Sequence, residues 1–230
     1  MTSLIRIFSS IALAALLALL TACHDNEPAP PHQATLYDIA EIADADASTL
    51  HIYRPDADEP IVLTITGNNT LAATADRPAA GSAIFVAYTP LDGQPYTSGA
   101  VTLSDWAAIT DIPLKQPTEG NTVQGWDSDP VYMMSMWRGG NKIYMRLRLP
   151  YGTSARHFTL LLDTPTENDP VPQLYLYHSR GYAYPTFERQ YYVAFDIGNL
   201  WKRDYIKGVT VNVANSADPA LSQFTFHKTN

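Results

Sequence analysis

Between Lys142 and Leu149 every second residue is a large apolar one: Ile143, Met145, Leu147 and Leu149 alternate with Lys142, Tyr144, Arg146 and Arg148. A period of two buries one face of a strand and wets the other, and no helix can sort this string into an apolar stripe. Just before it, Arg138-Gly139-Gly140-Asn141 is a glycine-containing loop that predicts a hairpin with Val131–Trp137. The pattern recurs downstream. His157–Asp163 groups Phe158, Leu160 and Leu162, and Gln173–His178 sets Leu174 and Leu176 against Tyr175 and Tyr177. Tyr191–Ile197 carries Val193 and Phe195, Val209–Val213 has valine at every second place, and Gln223–His227 carries Phe224 and Phe226. Together these predict an antiparallel, immunoglobulin-like β-sandwich over residues 121–230.

Upstream the strands are shorter. Thr35–Ile42, Thr49–Tyr53, Ile61–Thr66, Ala83–Tyr88, Gly99–Leu103 and Trp106–Leu114 are each bounded by Gly, Pro, Asn, Asp or Ser. Such spacing predicts a small β-barrel over residues 34–116, with the turn-rich Gln116–Asn121 as the junction. The expected class is all-β: no segment after the leader sustains a helical period, which argues against βαβ folds. The 14 Tyr, 17 Pro and 12 Gly agree with strands and turns.

The first 23 residues say where the chain lives. Arg6 precedes an unbroken apolar run, Ile11–Leu20, and Leu20-Thr21-Ala22-Cys23 follows. The run is too short to cross a hydrocarbon core of about 30 Å but suits a signal peptide, residues 1–22. Leu-Thr-Ala-Cys resembles the bacterial lipobox, in which the cysteine thiol takes a diacylglyceryl group and becomes the new N-terminus. Cys23 is the sole cysteine. A lone thiol on an exported chain invites intermolecular pairing, and lipidation removes that hazard. Residues 24–33, with three prolines and two acids, read as an extended tether of roughly 30 Å at about 3.1 Å per residue. The expected location is the outer membrane, on its periplasmic or its surface face. Losing Arg6 with the leader moves the formal charge from −8 to −9. That sign disfavours nucleic acid, whose binding rests on cationic neutralisation of phosphates.

Several segments together carry a family resemblance. They are Gly81–Tyr88, Ile112-Pro113-Leu114-Lys115 closing the first domain, Trp137 at a strand end, His157 before a leucine-rich strand, Leu174–His178 and Val193–Ile197. Behind a lipobox and a proline-rich tether, they resemble the NigD-like lipoproteins of Bacteroidota. The resemblance implies an N-terminal OB-type barrel and a C-terminal β-sandwich. The family's name is linked to bacteriocin-associated genes, and the resemblance carries over no functional residue. Arg54-Pro55-Asp56-Ala57-Asp58-Glu59-Pro60 departs from the family's glycine-rich strand turns.

Catalytic signatures are missing: no G-x-S-x-G, H-E-x-x-H, P-loop or G-x-G-x-x-G occurs. Neither an enzyme, nor a metal, nor a cofactor is expected. Of the six histidines, His157 shares a strand face with Asp163, but six residues at about 3.3 Å separate them by roughly 20 Å. His157 and His178 can meet only if their strands are neighbours. Asp127-Ser128-Asp129-Pro130 resembles part of a calcium loop without its glycine and distant glutamate, and a turn explains it equally well. Glu41, Asp44 and Asp46 sit at a strand end and loop, where no acid pair for glycoside cleavage stands out.

Two features could serve binding. One is the aromatic belt Tyr175, Tyr177, Tyr182, Tyr184, Phe187, Tyr191 and Tyr192, whose rings can stack on sugars or anchor a partner and can equally be strand packing. The other is the row Lys142, Tyr144, Arg146 and Arg148, expected to face outward and to suit an acidic glycan or partner. The candidate ligand surface is therefore Tyr175, Tyr177, Arg146 and Arg148. The leading expectation is a non-catalytic, lipid-anchored envelope protein that binds or supports an envelope partner. Alternatives are a glycan-binding accessory lipoprotein and a fimbrial or adhesin-type subunit. The latter assembles by donor strands, and no long unpaired apolar strand lies near either terminus.

Overall fold

In the computed structural model, residues 34–116, 128–151, 156–179 and 187–228 are described. The leader, Cys23, the tether, most of Gln116–Asn121, Asp127, Tyr182 and Tyr184 lie outside them. Strands β1 (Leu36–Ile42), β2 (Thr49–Ile52), β3 (Ile61–Ile65), β4 (Ala83–Pro90) and β5 (Gly99–Ala108) close into a barrel in the order β1-β2-β3-β5-β4. All pairs are antiparallel except β3 with β5. This is a five-stranded barrel of OB type. Period two explains β1: Ala40 and Ile42 enter the barrel core with Leu50, Ile52, Leu63 and Val86, while Ile39 points away from it. A one-turn helix, α1 (Thr70–Ala73), plugs the barrel with Leu71, which is wholly buried. Four residues are too few to show a helical period, so only the cap betrays it: Asn69 accepts from the Ala72 N–H at 3.0 Å.

The expected strands at Gly99 and Trp106 are one strand. Across β4, Ala87 faces Asp105 and Tyr88 faces Leu103, so Ser104 is an extra residue. A bulge of this kind shifts the alternation, which makes one strand read as two. After Ile109 the chain leaves the barrel. Strand β6 (Thr110–Pro113) pairs in parallel with β11 (Glu188–Asp196) of the second half, and Ile112 and Leu114 pack on its core. Ile112–Lys115 therefore belongs to the sandwich sheets and does not close the barrel. Its apolar residues follow the larger core.

The sandwich has one sheet ordered β6-β11-β8-β7, from β7 (Tyr132–Gly139), β8 (Lys142–Pro150) and β11 (Glu188–Asp196). The other is ordered β13-β12-β10-β9, from β9 (His157–Leu162), β10 (Gln173–Ser179), β12 (Gly208–Asn212) and β13 (Gln223–His227). The pairing is antiparallel apart from β6 with β11 and β10 with β12. Ile143, Met145, Leu147 and Leu149 meet Leu160, Leu162, Leu174, Leu176, Val209 and Val211 between the sheets, as their alternation predicts. The hairpin turns at Gly140, whose φ of +54° suits a residue without Cβ.

On β7, Met134 is an extra residue, with Met133 opposite Leu147 and Ser135 opposite Arg146. The phase change turns Met136 and Arg138 to the inward side and leaves Ser135 and Trp137 outside. The barrel packs against this outer side. Ile39, Ala83 and Phe85 of the barrel form a small apolar cluster with Trp137, Tyr144, Tyr192 and Ala194 of the sandwich.

Candidate functional site

The row expected to face outward from β8 is half covered. Lys142 is 5% exposed and Tyr144 is 3% exposed because the barrel lies on them. The Lys142 ammonium donates to Asp111 Oδ2 at 2.5 Å and to the Gly81 carbonyl at 2.7 Å. Asp111 also accepts from the Ala83 N–H, and the Tyr144 hydroxyl donates to Glu41. These groups knit barrel to sandwich and offer nothing to a solvent ligand.

Burial raises the Glu41 carboxyl above its ordinary range, outweighing the Tyr144 hydroxyl and the Lys142 charge. A carboxyl raised on folding holds its proton more tightly in the folded chain than in the unfolded one. Its contribution to stability is complete below about 4.3, the unfolded value, and is lost as pH climbs through the raised one. Glu41→Gln removes that dependence. The unfolding free energy of the variant relative to the parent should therefore rise between pH 4 and pH 8 in urea titrations. A falling difference would overturn the assignment.

Only Arg146 and Arg148 of that row reach solvent. Arg146 donates through Nε and Nη2 to Gln190 Oε1 at 3.2 and 3.1 Å, and the Tyr192 hydroxyl donates to the same oxygen at 3.3 Å. Arg148 lies 3.1 Å from Glu188 and 4.1 Å over the Tyr132 ring. Ser135, Arg146 and Tyr192 form one cross-strand row. That row floors a groove of about 480 Å³ whose other sides are Tyr37, Ile39 and Phe85 of the barrel and Trp137. Asp38 also lines it, but its carboxylate is held by Arg54 at 3.0 Å. Past Phe85 and Tyr192 a second hollow of about 360 Å³ runs along Ala107–Thr110 and Arg189–Tyr192.

Tyr175 and Tyr177 lie elsewhere. They are half-buried on the outer side of β10 and line a cavity of about 340 Å³ with Ser128, Leu161, Asn212 and Ser222. Their neighbours Leu174 and Leu176 face the core, so the tyrosines stand on the opposite side of the sandwich from Arg146 and Arg148. The four residues do not converge. Of the remaining belt, Phe187 stacks on Tyr151 at 4.7 Å, and Tyr191 sits under the Arg156 guanidinium.

His157 and His178 are on neighbouring strands but one register apart, His157 opposite Ser179 and His178 opposite Phe158. They face opposite sides, His157 exposed and His178 buried. His178 Nδ1 lies 3.2 Å from the Asp129 carbonyl, Nε2 lies 3.0 Å from Arg156, and the ring stacks on Phe158. Ser128 and Asp129 run along β10 through bonds to His178 and Leu176 as a packed edge. Asp44 accepts from the Ser48 and Thr49 N–H groups and closes a tight turn. Among the described residues no three His, Cys, Asp or Glu side chains converge to hold a metal, and no helix is long and apolar enough to cross a membrane.

Residues 114–226 match the NigD-like C-terminal beta sandwich domain family. The chain is a member of the NigD-like family through this domain. Solved structures of similar fold come from Bacteroides and Parabacteroides species. A NigD-like immunity protein from Bacteroides caccae is 16% identical with a TM-score of 0.59, covering 86% of this chain and 92% of its own. A protein named as a candidate lipoprotein from Bacteroides fragilis is 14% identical with a TM-score of 0.58, covering 86% and 99%. A candidate toxin-related protein from Parabacteroides distasonis is 18% identical with a TM-score of 0.63, covering 84% and 91%. No curated protein matches the chain at a significant level. At these identities the likenesses establish the fold of this NigD-like chain and leave its ligand to its own residues.

The groove residues Tyr37, Phe85 and Trp137 were invisible as a set in the sequence, because they come from three strands of two domains. The one hint was the alternation of β1, which sets Tyr37 and Ile39 on the face opposite Ala40 and Ile42.

Proposed function

We propose that this NigD-like protein is a non-catalytic, lipid-anchored protein of the outer membrane whose joined β-domains bind or support an envelope partner. The lipobox cysteine, Cys23, behind Ile11–Leu20 carries this reading. The likeness to a candidate lipoprotein of the same architecture supports it. One acyl chain binds membranes marginally, and two or three anchor them durably. The junction supports the non-catalytic part: buried Lys142 and half-buried Glu41 and Asp111 are tied up in bonds that join barrel to sandwich. A relative named an immunity protein shares the fold, and protection by capture of a protein is one form such binding takes. Cys23→Ser should move the protein from the membrane pellet to the soluble fraction. Unchanged pelleting would overturn the anchor.

A second reading, glycan binding, is favoured by the aromatic groove between the domains. It engages Tyr37, Phe85 and Tyr192 in place of the Tyr175–Tyr177 face.

A further inference from the structure

We infer that the groove between barrel and sandwich is a binding site for an oligosaccharide that carries carboxylates. The inference rests on the glycan-binding reading and names the ligand class. Three observations support it.

The first is shape. The groove holds about 480 Å³ and shares Phe85 and Tyr192 with the adjoining hollow of about 360 Å³. Ligand sites run to roughly 300–1,000 Å³, so each hollow suits one or two sugar rings, and the pair suits a short chain.

The second is the aromatic surface. Tyr37 is 65% exposed and stacks near-parallel on Phe85, with ring centres 6.2 Å apart and 23° between planes. Phe85 in turn meets Tyr192 at 5.1 Å. Trp137 is held from behind by Tyr144 at 5.4 Å and 19°. Ring faces carry negative quadrupole density, and the C–H face of a pyranose carries the complementary positive edge. Extended rings joined across two rigid sheets need no reordering to receive it, which spares the entropy cost of binding.

The third is charge. Arg146 lies in the middle of the floor, and Gln190 fixes its fork from one side through Nε and Nη2. Arg146 itself lines the groove, and among the described residues its Nη1 has no hydrogen-bond partner. Asp38, the acid lining the groove, is turned to Arg54 and its carboxylate is occupied there. On a chain of net charge −8 an oriented guanidinium with no acidic partner among the described residues is a selective feature. Guanidinium and carboxylate pair through charge-assisted bonds. A neutral sugar would leave that capacity unused, and a peptide of acidic residues alone would bring no ring or proline face to the aromatic surface.

The test uses the full lipidated protein in detergent micelles, titrated with trisaccharides of galacturonate and with their methyl esters, which keep the sugar and lose the charge. Saturable binding of the acid form is expected, at least tenfold tighter than the ester. Arg146→Gln should weaken the acid form tenfold or more and leave the ester unchanged. Tyr37→Ala should weaken both, and Tyr175→Ala neither, with melting temperatures matching the parent. No saturable binding of either the galacturonate or an alginate trisaccharide would overturn the proposal. So would equal affinity in Arg146→Gln, or displacement by an oligoglutamate peptide as effective as by the sugar. Ester bound as tightly as the acid would overturn the carboxylate class and leave the glycan-binding reading standing, whereas binding of neither would overturn both.

Discussion

Arg138→Ala should lower the melting temperature by about 10 °C, the equivalent of roughly 3–5 kcal/mol at 2–4 °C per kcal/mol for a chain of this size. Arg138 is wholly buried at the inward end of β7. Its guanidinium gathers the Arg54–Pro60 loop of the barrel. Nη1 donates to Asp58 at 2.6 Å, to the Ala57 carbonyl at 3.3 Å and to the Gly140 carbonyl at 3.1 Å, and Nη2 donates to the Asp56 carbonyl. The Trp201 ring lies 4.9 Å from the guanidinium carbon. Two backbone bonds complete the clasp, Asp56 N–H to the Arg138 carbonyl and Gly140 N–H to the Ala57 carbonyl, both 2.8 Å. Truncation strands the Asp56 and Gly140 carbonyls, each costing about 1–3 kcal/mol when left unpaired, while Ala57 keeps its bond from Gly140. Arg138→Lys should recover only part of the loss, since an ammonium lacks the planar fork. Endoproteinase Asp-N should cut before Asp58 in Arg138→Ala faster than in the parent. A melting temperature within 2 °C of the parent, with no new cleavage, would show that the clasp is not a fastening.

Lys142→Met is the second large effect. It leaves the Asp111 carboxylate half-buried with only the Ala83 N–H, and it orphans the Gly81 carbonyl. Breaking a buried pair by removing one partner costs about 3–5 kcal/mol, mostly from the uncompensated charge. Lys142→Met with Asp111→Asn should therefore regain much of the loss, because the amide oxygen keeps the Ala83 bond without a charge. A double-mutant cycle by denaturant titration should give a coupling above about 1 kcal/mol. Additive effects would show that the two side chains act separately.

Both predictions concern the junction, and the junction is where sequence reasoning stopped. The strands themselves were legible. Lys142–Leu149, Gln173–His178 and Val209–Val213 alternate because each buries one face, and the structure buries those faces. Where a bulge shifts the phase, at Ser104 and Met134, the pattern misleads: one strand reads as two, and Arg138 turns inward beside Trp201. Lys142 and Tyr144 read as solvent-facing because alternation reports only that two faces differ. It does not report that a second domain covers the polar one. The Arg54–Pro60 segment, an oddity among strand turns in the sequence, is the part of the barrel that Arg138 holds.

The sequence alone determined the β class, the apolar face of nearly every strand, and Cys23 as the residue suited to lipidation. These are local matters: period, turn chemistry and the composition of a short leader are written in neighbouring residues. Only the tertiary structure decided that β6 leaves the barrel for the sandwich and that Lys142 and Tyr144 are buried. It also parted Tyr175 and Tyr177 from Arg146, and brought Arg146 beneath Tyr37 and Phe85. The parting of the tyrosines follows from which sheet each strand joins. The others depend on one domain packing against another across more than 60 residues of chain, as Lys142 does with Gly81, and no local period encodes which surfaces meet.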